Sequence, residues 1–263
     1  MPNAFHRAWT ERAFDAGKHV LCEKPMAPTV ADCEAMIAAG ALAGKRLMIG
    51  YRVHFEPHNL RAKAMIADGE IGQPRIVVAD HMRPLKLDEP RDQWRARQEL
   101  AGGGSLYDIG IYSVNGARFL LGEEPTEVTA QRLPGSGTPA ITVEEGIAWQ
   151  MRFASGATAS CTSGYREFEA KRVHVQGSEG EVTLSPESDY YENRLMLRKE
   201  KRHDRAHRPE CQPVRTDARR DGGGRAGEPR AGDARRRGPP RRPDPRGDLP
   251  RGRLGRRRRG VTD

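Results

Sequence analysis

Gly17-Lys18-His19-Val20-Leu21-Cys22-Glu23-Lys24-Pro25 is the stretch on which the reading of this chain turns. Lys18 to Cys22 is a short, mostly apolar run closed by two charges and a proline, so it reads as a buried strand with Glu23-Lys24-Pro25 at its carboxyl end. Before it, Asn3 to Ala16 reads as a helix. Asn3 can cap it, Phe5, Trp9 and Phe14 supply an apolar stripe, and Gly17 ends it. After it, Thr29 caps a second helix running to about Gly44, Leu47-Met48-Ile49-Gly50 forms another buried strand, and a third helix runs from about Glu56 to Asp68. Strands alternating with helices at this spacing build βαβ units and a parallel sheet, whose ligands sit beyond the carboxyl ends of the strands. Glu23-Lys24-Pro25 and Tyr51-Arg52 both lie at such ends.

The pattern changes after Gly72. Segments 75–80, 127–132, 147–153, 158–165, 172–176 and 181–184 read as strands, with Ser155-Gly156 and Ser178-Glu179-Gly180 as turns. One helix stands out, from about Gly104 to Leu121. The expected fold is therefore α/β followed by α+β. Half of a doubly wound α/β unit occupies residues 1–52, and an α/β domain with an open, mostly antiparallel sheet occupies 53–202.

Residues 203–263 form a third segment with no Phe, Tyr, Trp, Ile, Met or Lys. Such a composition cannot bury enough apolar surface to offset chain entropy, so a disordered basic tail is expected. The formal charge of +9 belongs to it: residues 201–263 hold 21 Lys+Arg against 9 Asp+Glu, leaving the body slightly acidic. Nucleic-acid binding is disfavoured because the tail lacks the interleaved aromatics that base stacking needs. Its Arg, Gly, Pro and Ala fit better with a GC-rich gene read out of frame.

Four dispersed cysteines without a C-x-x-C pair argue against a disulfide framework or zinc site, and His19, His54, His58 and His81 show no ligand spacing, so no metal is expected. No apolar run approaches the ~20 residues of a membrane span, and no leader is visible. A cytoplasmic protein is expected, or a periplasmic one had a leader been lost.

Pro2-Asn3-Ala4-Phe5-His6, followed at the right interval by Gly17 to Pro25, resembles the Gfo/Idh/MocA oxidoreductases. Gly50-Tyr51-Arg52-Val53-His54-Phe55-Glu56-Pro57, Trp94-Arg95, Gly102 to Tyr112 and Leu121-Gly122-Glu123-Glu124-Pro125 resemble the glucose–fructose oxidoreductase branch. Many members of the wider family carry His where this chain has Tyr112. The resemblance covers about residues 1–200 and implies that residues 1–52 are the closing part of a Rossmann dinucleotide-binding domain. It implies an NADP- (or NAD-) dependent sugar oxidoreductase that passes a hydride between the nicotinamide and the anomeric carbon of an aldose.

In that reading the catalytic residues are Lys24, Tyr112 and Asp108. The Lys24 ammonium lowers the Tyr112 pKa so that the phenolate accepts the proton. Asp108, four residues before Tyr112 on one helix face, holds a sugar hydroxyl or orients the pair. Pro25 is expected in a cis peptide that aims the lysine. Pro2, Asn3, His6, Glu23, Lys24 and Pro25 line the cofactor, with Arg52, Trp94, Arg95 and Tyr112 at its nicotinamide half and Tyr191 as a further candidate. The partners implied are a small sugar and a second copy of the chain, as dimer or tetramer through the open sheet, with no membrane and no nucleic acid.

Two departures from the family pattern stand out. No strand–G-x-G-x-x-G–helix unit opens the chain, and Gly102-Gly103-Gly104 does not replace it, since it follows no strand. The family's closing helical segment is replaced by the Arg-rich stretch. The expectation is a chain with its front half missing, inactive or barely stable alone. The alternative is a non-catalytic oligomerisation or binding module built on the open sheet.

Overall fold

The computed structural model describes residues 1–199. The disorder expected for 203–263 falls outside the described residues. A 3-10 turn, Asn3–Phe5, leads into α1 (His6–Asp15), β1 (Val20–Cys22), α2 (Val30–Ala43) and β2 (Leu47–Ile49). β1 and β2 pair in parallel, Leu21 opposite Met48 and Cys22 opposite Ile49. The α2 boundaries follow from local chemistry. Thr29 Oγ1 accepts a hydrogen bond from the Asp32 N–H (3.1 Å), and Gly44 closes the helix at φ +61°.

Three sequence expectations change in this part. Asn3 does not cap α1; its buried side-chain amide donates to the Ala101 carbonyl at 2.8 Å. The buried face of α1 is His6, Thr10 and Phe14, while Phe5 and Trp9 are exposed. The face turns this way because α1 packs on α2, where Phe14 meets Gly40, and on the loop at Pro25, whose carbonyl lies 3.0 Å from His6 Nδ1. Nor are the strands buried on both sides. Cys22 packs with Ala27 and Met36, but Leu21 is 71% exposed and Met48 48%, because helices cover one face only.

A 3-10 turn, Arg52–Phe55, leads to α3 (Pro57–Ala67), capped by the Glu56 carboxylate, which accepts from the Asn59 N–H at 2.8 Å. Next come β3 (Pro74–Met82), the short helices α4 (Pro90–Gln93) and α5 (Gln98–Ala101), a π-helical turn (Leu106–Gly110) and α6 (Ile111–Leu121). Strands β4 (Pro125–Arg132), β5 (Gly146–Phe153), β6 (Thr158–Gly164), β7 (Ala170–Gly177), β8 (Gly180–Leu184) and β9 (Leu195–Lys199) complete a seven-stranded sheet. Its order is β4-β5-β6-β3-β7-β8-β9, antiparallel throughout except for the β3–β6 pair.

One face of this sheet carries the core. Val77, Ala79, Met151, Phe153, Ala159, Val173, Val175 and Leu184 pack beneath Ala62 and Ile66 of α3 and Ala117 and Leu120 of α6. The opposite face shows Ile76, Val78 and Met196, while Val128, paired with Met151, is exposed at the edge of the core face. The period-2 alternation is plain in β3, where Val77, Ala79 and His81 point inward and Ile76 and Val78 outward. Among the described residues no helix is long and apolar enough to cross a membrane.

Candidate active site

The carboxyl end of β1, the turn after β2, the end of β3 and the π-helical turn before α6 converge on a cavity of about 840 Å³. That volume falls in the range of small-molecule sites. The Gly102-Gly103-Gly104 run sets the entry to the π-helical turn. Gly102 has φ +81° against Pro28, and a Cβ on Gly104 would stand 1.8 Å from the Glu144 carbonyl oxygen. The glycines therefore serve close backbone packing.

Lys24 lies on the strand-end loop, after which the Lys24–Pro25 peptide is cis, as expected. Its ammonium donates to the Asp108 backbone carbonyl and sits 4.5 Å from the centre of the Tyr112 ring. Burial pushes the Lys24 pKa down, opposed by the nearby Asp108 carboxylate. Asp108 points both carboxylate oxygens at guanidiniums, Oδ2 to Arg83 Nε and Oδ1 to Arg95 Nε, each at 3.1 Å. Burial alone would raise its pKa, but Arg95, Lys24 and Arg83 outweigh it and hold the carboxyl below its ordinary value. Arg83 in turn forks onto the buried Asp92 at 2.8 and 2.9 Å.

Tyr112 behaves differently from the sequence expectation. Its phenol pKa is not lowered but pushed up to about 12, chiefly by burial; Arg52 opposes this, and Tyr190, Glu187 and Asp108 reinforce it. Lys24 contacts the ring face, which leaves burial the larger influence on the hydroxyl.

Arg52 donates to the carbonyls of Ser188 and Asp189, stacks at 4.0 Å on Tyr190 and lies 5.8 Å from the Tyr112 ring. Its Nε is buried without a hydrogen-bond partner. Trp94 and Arg95 stack together at 4.4 Å on the wall of the same cavity. Asn3, His6, Glu23 and Pro25 also line it, whereas Pro2 does not. Tyr191 stands apart, 94% exposed; the aromatic that reaches the cavity is its neighbour Tyr190. The backbone turns at this pair, where the N–H groups of both tyrosines donate to Asp189 Oδ1, so adjacent side chains diverge. Arg83, Ser188 and Tyr165 reach the site without having been singled out from the sequence, and His81, weighed there only as a metal ligand, reaches it too. For His81 the signal was available: it continues the inward alternation of β3 at a position where an apolar residue would be ordinary.

Two family models account for most of the described chain. Residues 1–51 match the oxidoreductase family with an NAD-binding Rossmann fold, and residues 59–183 match the GFO/IDH/MocA C-terminal domain. The chain belongs to the Gfo/Idh/MocA oxidoreductase family. Among relatives of this family, D-xylose 1-dehydrogenase [NADP(+)] of Haloarcula marismortui is 36% identical over 196 residues, 74% of this chain and 54% of that protein. 1,5-Anhydro-D-fructose reductase of Ensifer adhaerens is 33% identical over 68% of this chain and 54% of that one. The crystal structure of aldose-aldose oxidoreductase from Caulobacter crescentus complexed with glycerol is 49% identical, with a TM-score of 0.72 over 75% of this chain and 58% of that one. The chain thus spans about half the length of the Gfo/Idh/MocA relatives it matches.

Proposed function

We propose that this site serves NADP-dependent sugar oxidoreduction of the glucose–fructose oxidoreductase type, with hydride transfer between a nicotinamide and the anomeric carbon of an aldose. The observation that carries the reading is the packing of Lys24 on Tyr112, beside an Asp108 carboxylate fixed by two arginines, in a cavity that the Rossmann portion helps to line. The names of the xylose dehydrogenase and aldose-aldose oxidoreductase relatives support the sugar class.

The residues present fit the nicotinamide end of a dinucleotide. The orphaned Arg52 Nε offers a donor, and Trp94, Arg95 and Glu23 complete a wall of stacking and polar groups around it. The nicotinamide, when bound, supplies or accepts the hydride. Tyr112 Oη holds or receives the proton of the sugar hydroxyl, Lys24 fixes the position of the ring, and Asp108 keeps Lys24, Arg83 and Arg95 in register. Among the described residues there is no strand–glycine-turn–helix unit to cradle a pyrophosphate, so this chain by itself is expected to hold the dinucleotide weakly and turn over slowly.

The test is aldose-dependent NADP reduction by the purified chain at high cofactor concentration. A slow rate that Tyr112→Phe and Lys24→Met each lower by about 100-fold or more supports the reading, that being the size of a lost acid–base contribution. No rate above background at any cofactor concentration favours the second reading, a non-catalytic oligomerisation module. The exposed Ile76, Val78 and Met196 on the open sheet face motivate that alternative. It requires a stable dimer or tetramer in sedimentation without cofactor, and a monomer would remove it.

A further inference from the structure

His81 and Glu187 form a pair in which each residue is 1% exposed, lying against Tyr112 and outside every role given above. His81 Nδ1 is 2.8 Å from Ser113 Oγ on α6, and its Nε2 is 3.1 Å from both Glu187 Oε2 and Ser188 Oγ. Its imidazole stacks on the Tyr112 ring, with centroids 5.5 Å apart and planes at 30°. Glu187 is pinned through its backbone: its N–H donates to the Lys171 carbonyl at 2.8 Å, and its carbonyl accepts from the Asn59 side chain at 3.0 Å. Its second carboxylate oxygen is buried with no partner. A buried carboxylate with one oxygen unpaired is a costly way to fill space, and core packing alone would favour an apolar residue.

We propose that His81, clamped between Ser113 and Glu187, is a positioning residue that fixes the ring of Tyr112 against Lys24, and that the Glu187 carboxylate joins burial in opposing ionisation of that ring's hydroxyl. The inference rests on the reading of Tyr112 as the proton-handling group. The charges around the phenol divide into two sets. Lys24 and Arg52, 4.5 and 5.8 Å from the ring centre, favour phenolate; Glu187, Asp108 and Tyr190 oppose it. Around the pair itself stand Ser113 on α6, Ser188 beside Glu187, Lys171 on β7, and Arg52 bonded to the Ser188 and Asp189 carbonyls. Glu187 is the member of the opposing set hydrogen-bonded to the residue that touches the ring, so its influence is coupled to the ring's orientation.

The experiment is ¹⁹F NMR on the full chain carrying 3-fluorotyrosine, with Tyr112→Phe identifying the Tyr112 signals. In the unmodified sequence a clamped ring gives two separate signals, one for each orientation of the fluorine. His81→Ala is expected to merge them into one, while the other tyrosine signals stay in place and report an intact fold. Glu187→Gln is expected to keep two signals but move the Tyr112 ionisation to lower pH by about half a pH unit or more, since it removes a negative charge. Should His81→Ala fail to fold, Ser113→Ala loosens the same clamp and is expected to broaden both signals. Unchanged ring signals on loosening the clamp, or an unmoved ionisation in Glu187→Gln, overturns the proposal. The readout needs neither cofactor nor sugar, so a negative aldose assay would sink the functional reading without touching this result.

Discussion

At the residue scale the chain relies on carboxylates whose charge is held by donors. Glu56 is one whose consequence is measurable. Burial pushes its carboxyl up, but hydrogen bonds from His58 and Asn59 outweigh this and hold the pKa at about 2, against an ordinary 4.5. A carboxyl with a depressed folded-state pKa contributes stability that is complete above 4.5 and is lost as pH falls through about 2. Glu56→Gln should therefore be less stable than the parent at neutral pH, and the gap should close as pH drops across that window. Urea unfolding at several pH values checks it; a gap that stays constant would mean that the ionised carboxylate contributes nothing there. The site residues show the same split between what a sequence displays and what it hides. Lys24, Asp108 and Arg52 are legible because they sit at strand ends or in a recognisable motif. The partners that hold them are not: Arg83 and Asp92 come together only because the loop after β3 folds back, and nothing in their spacing announces it. The same holds for Tyr190 over Tyr191, because one φ/ψ pair in an irregular segment decides which of two neighbours turns inward.

At the element scale the boundaries came through well where capping chemistry is local. Thr29 and Gly44 bracket α2, and Gly156, at φ +87°, turns β5 into β6. Packing faces came through less well, because a helix's apolar stripe reports burial only when the surface it meets is apolar. In α1 His6 meets the Pro25 loop and Phe14 packs against Gly40 of α2, while Phe5 and Trp9 of the expected stripe face outward. The tightest local constraint is at Gly104. An alanine there must displace the Glu144 backbone or unwind the turn that carries Asp108, which should cost about 1–3 kcal/mol by the usual penalty for overpacking. Thermal unfolding of Gly104→Ala measures this, and a melting temperature equal to the parent's would show that the segment has slack that the packed geometry does not display.

At the scale of the whole molecule, stability resides in the seven-stranded sheet and its two covering helices. Phe153, on the core face of β5, is 2% exposed and among the largest of the fully buried side chains. Truncation to alanine should cost about 3–5 kcal/mol, the usual toll of a large buried cavity. A denaturant midpoint that barely moves would place the core elsewhere. Six of the seven strands of this sheet were legible to within about two residues because a sheet with one covered face must alternate, whereas the edge strand β9 (Leu195–Lys199) was not read. Its strand order was not, since no local pattern tells β3 to lie between β6 and β7. That placement also governs how the chain reaches its native state. Val77 pairs with Ala159 on one side and Val175 on the other, so the central strand of the sheet is among its earliest to be synthesised and must wait for partners that emerge much later. Until then α3 and α6 have no surface to cover, and β3 offers two unsatisfied edges to any neighbouring chain. Folding dominated by such distant pairings is slow, and the yield on refolding should fall steeply as protein concentration rises.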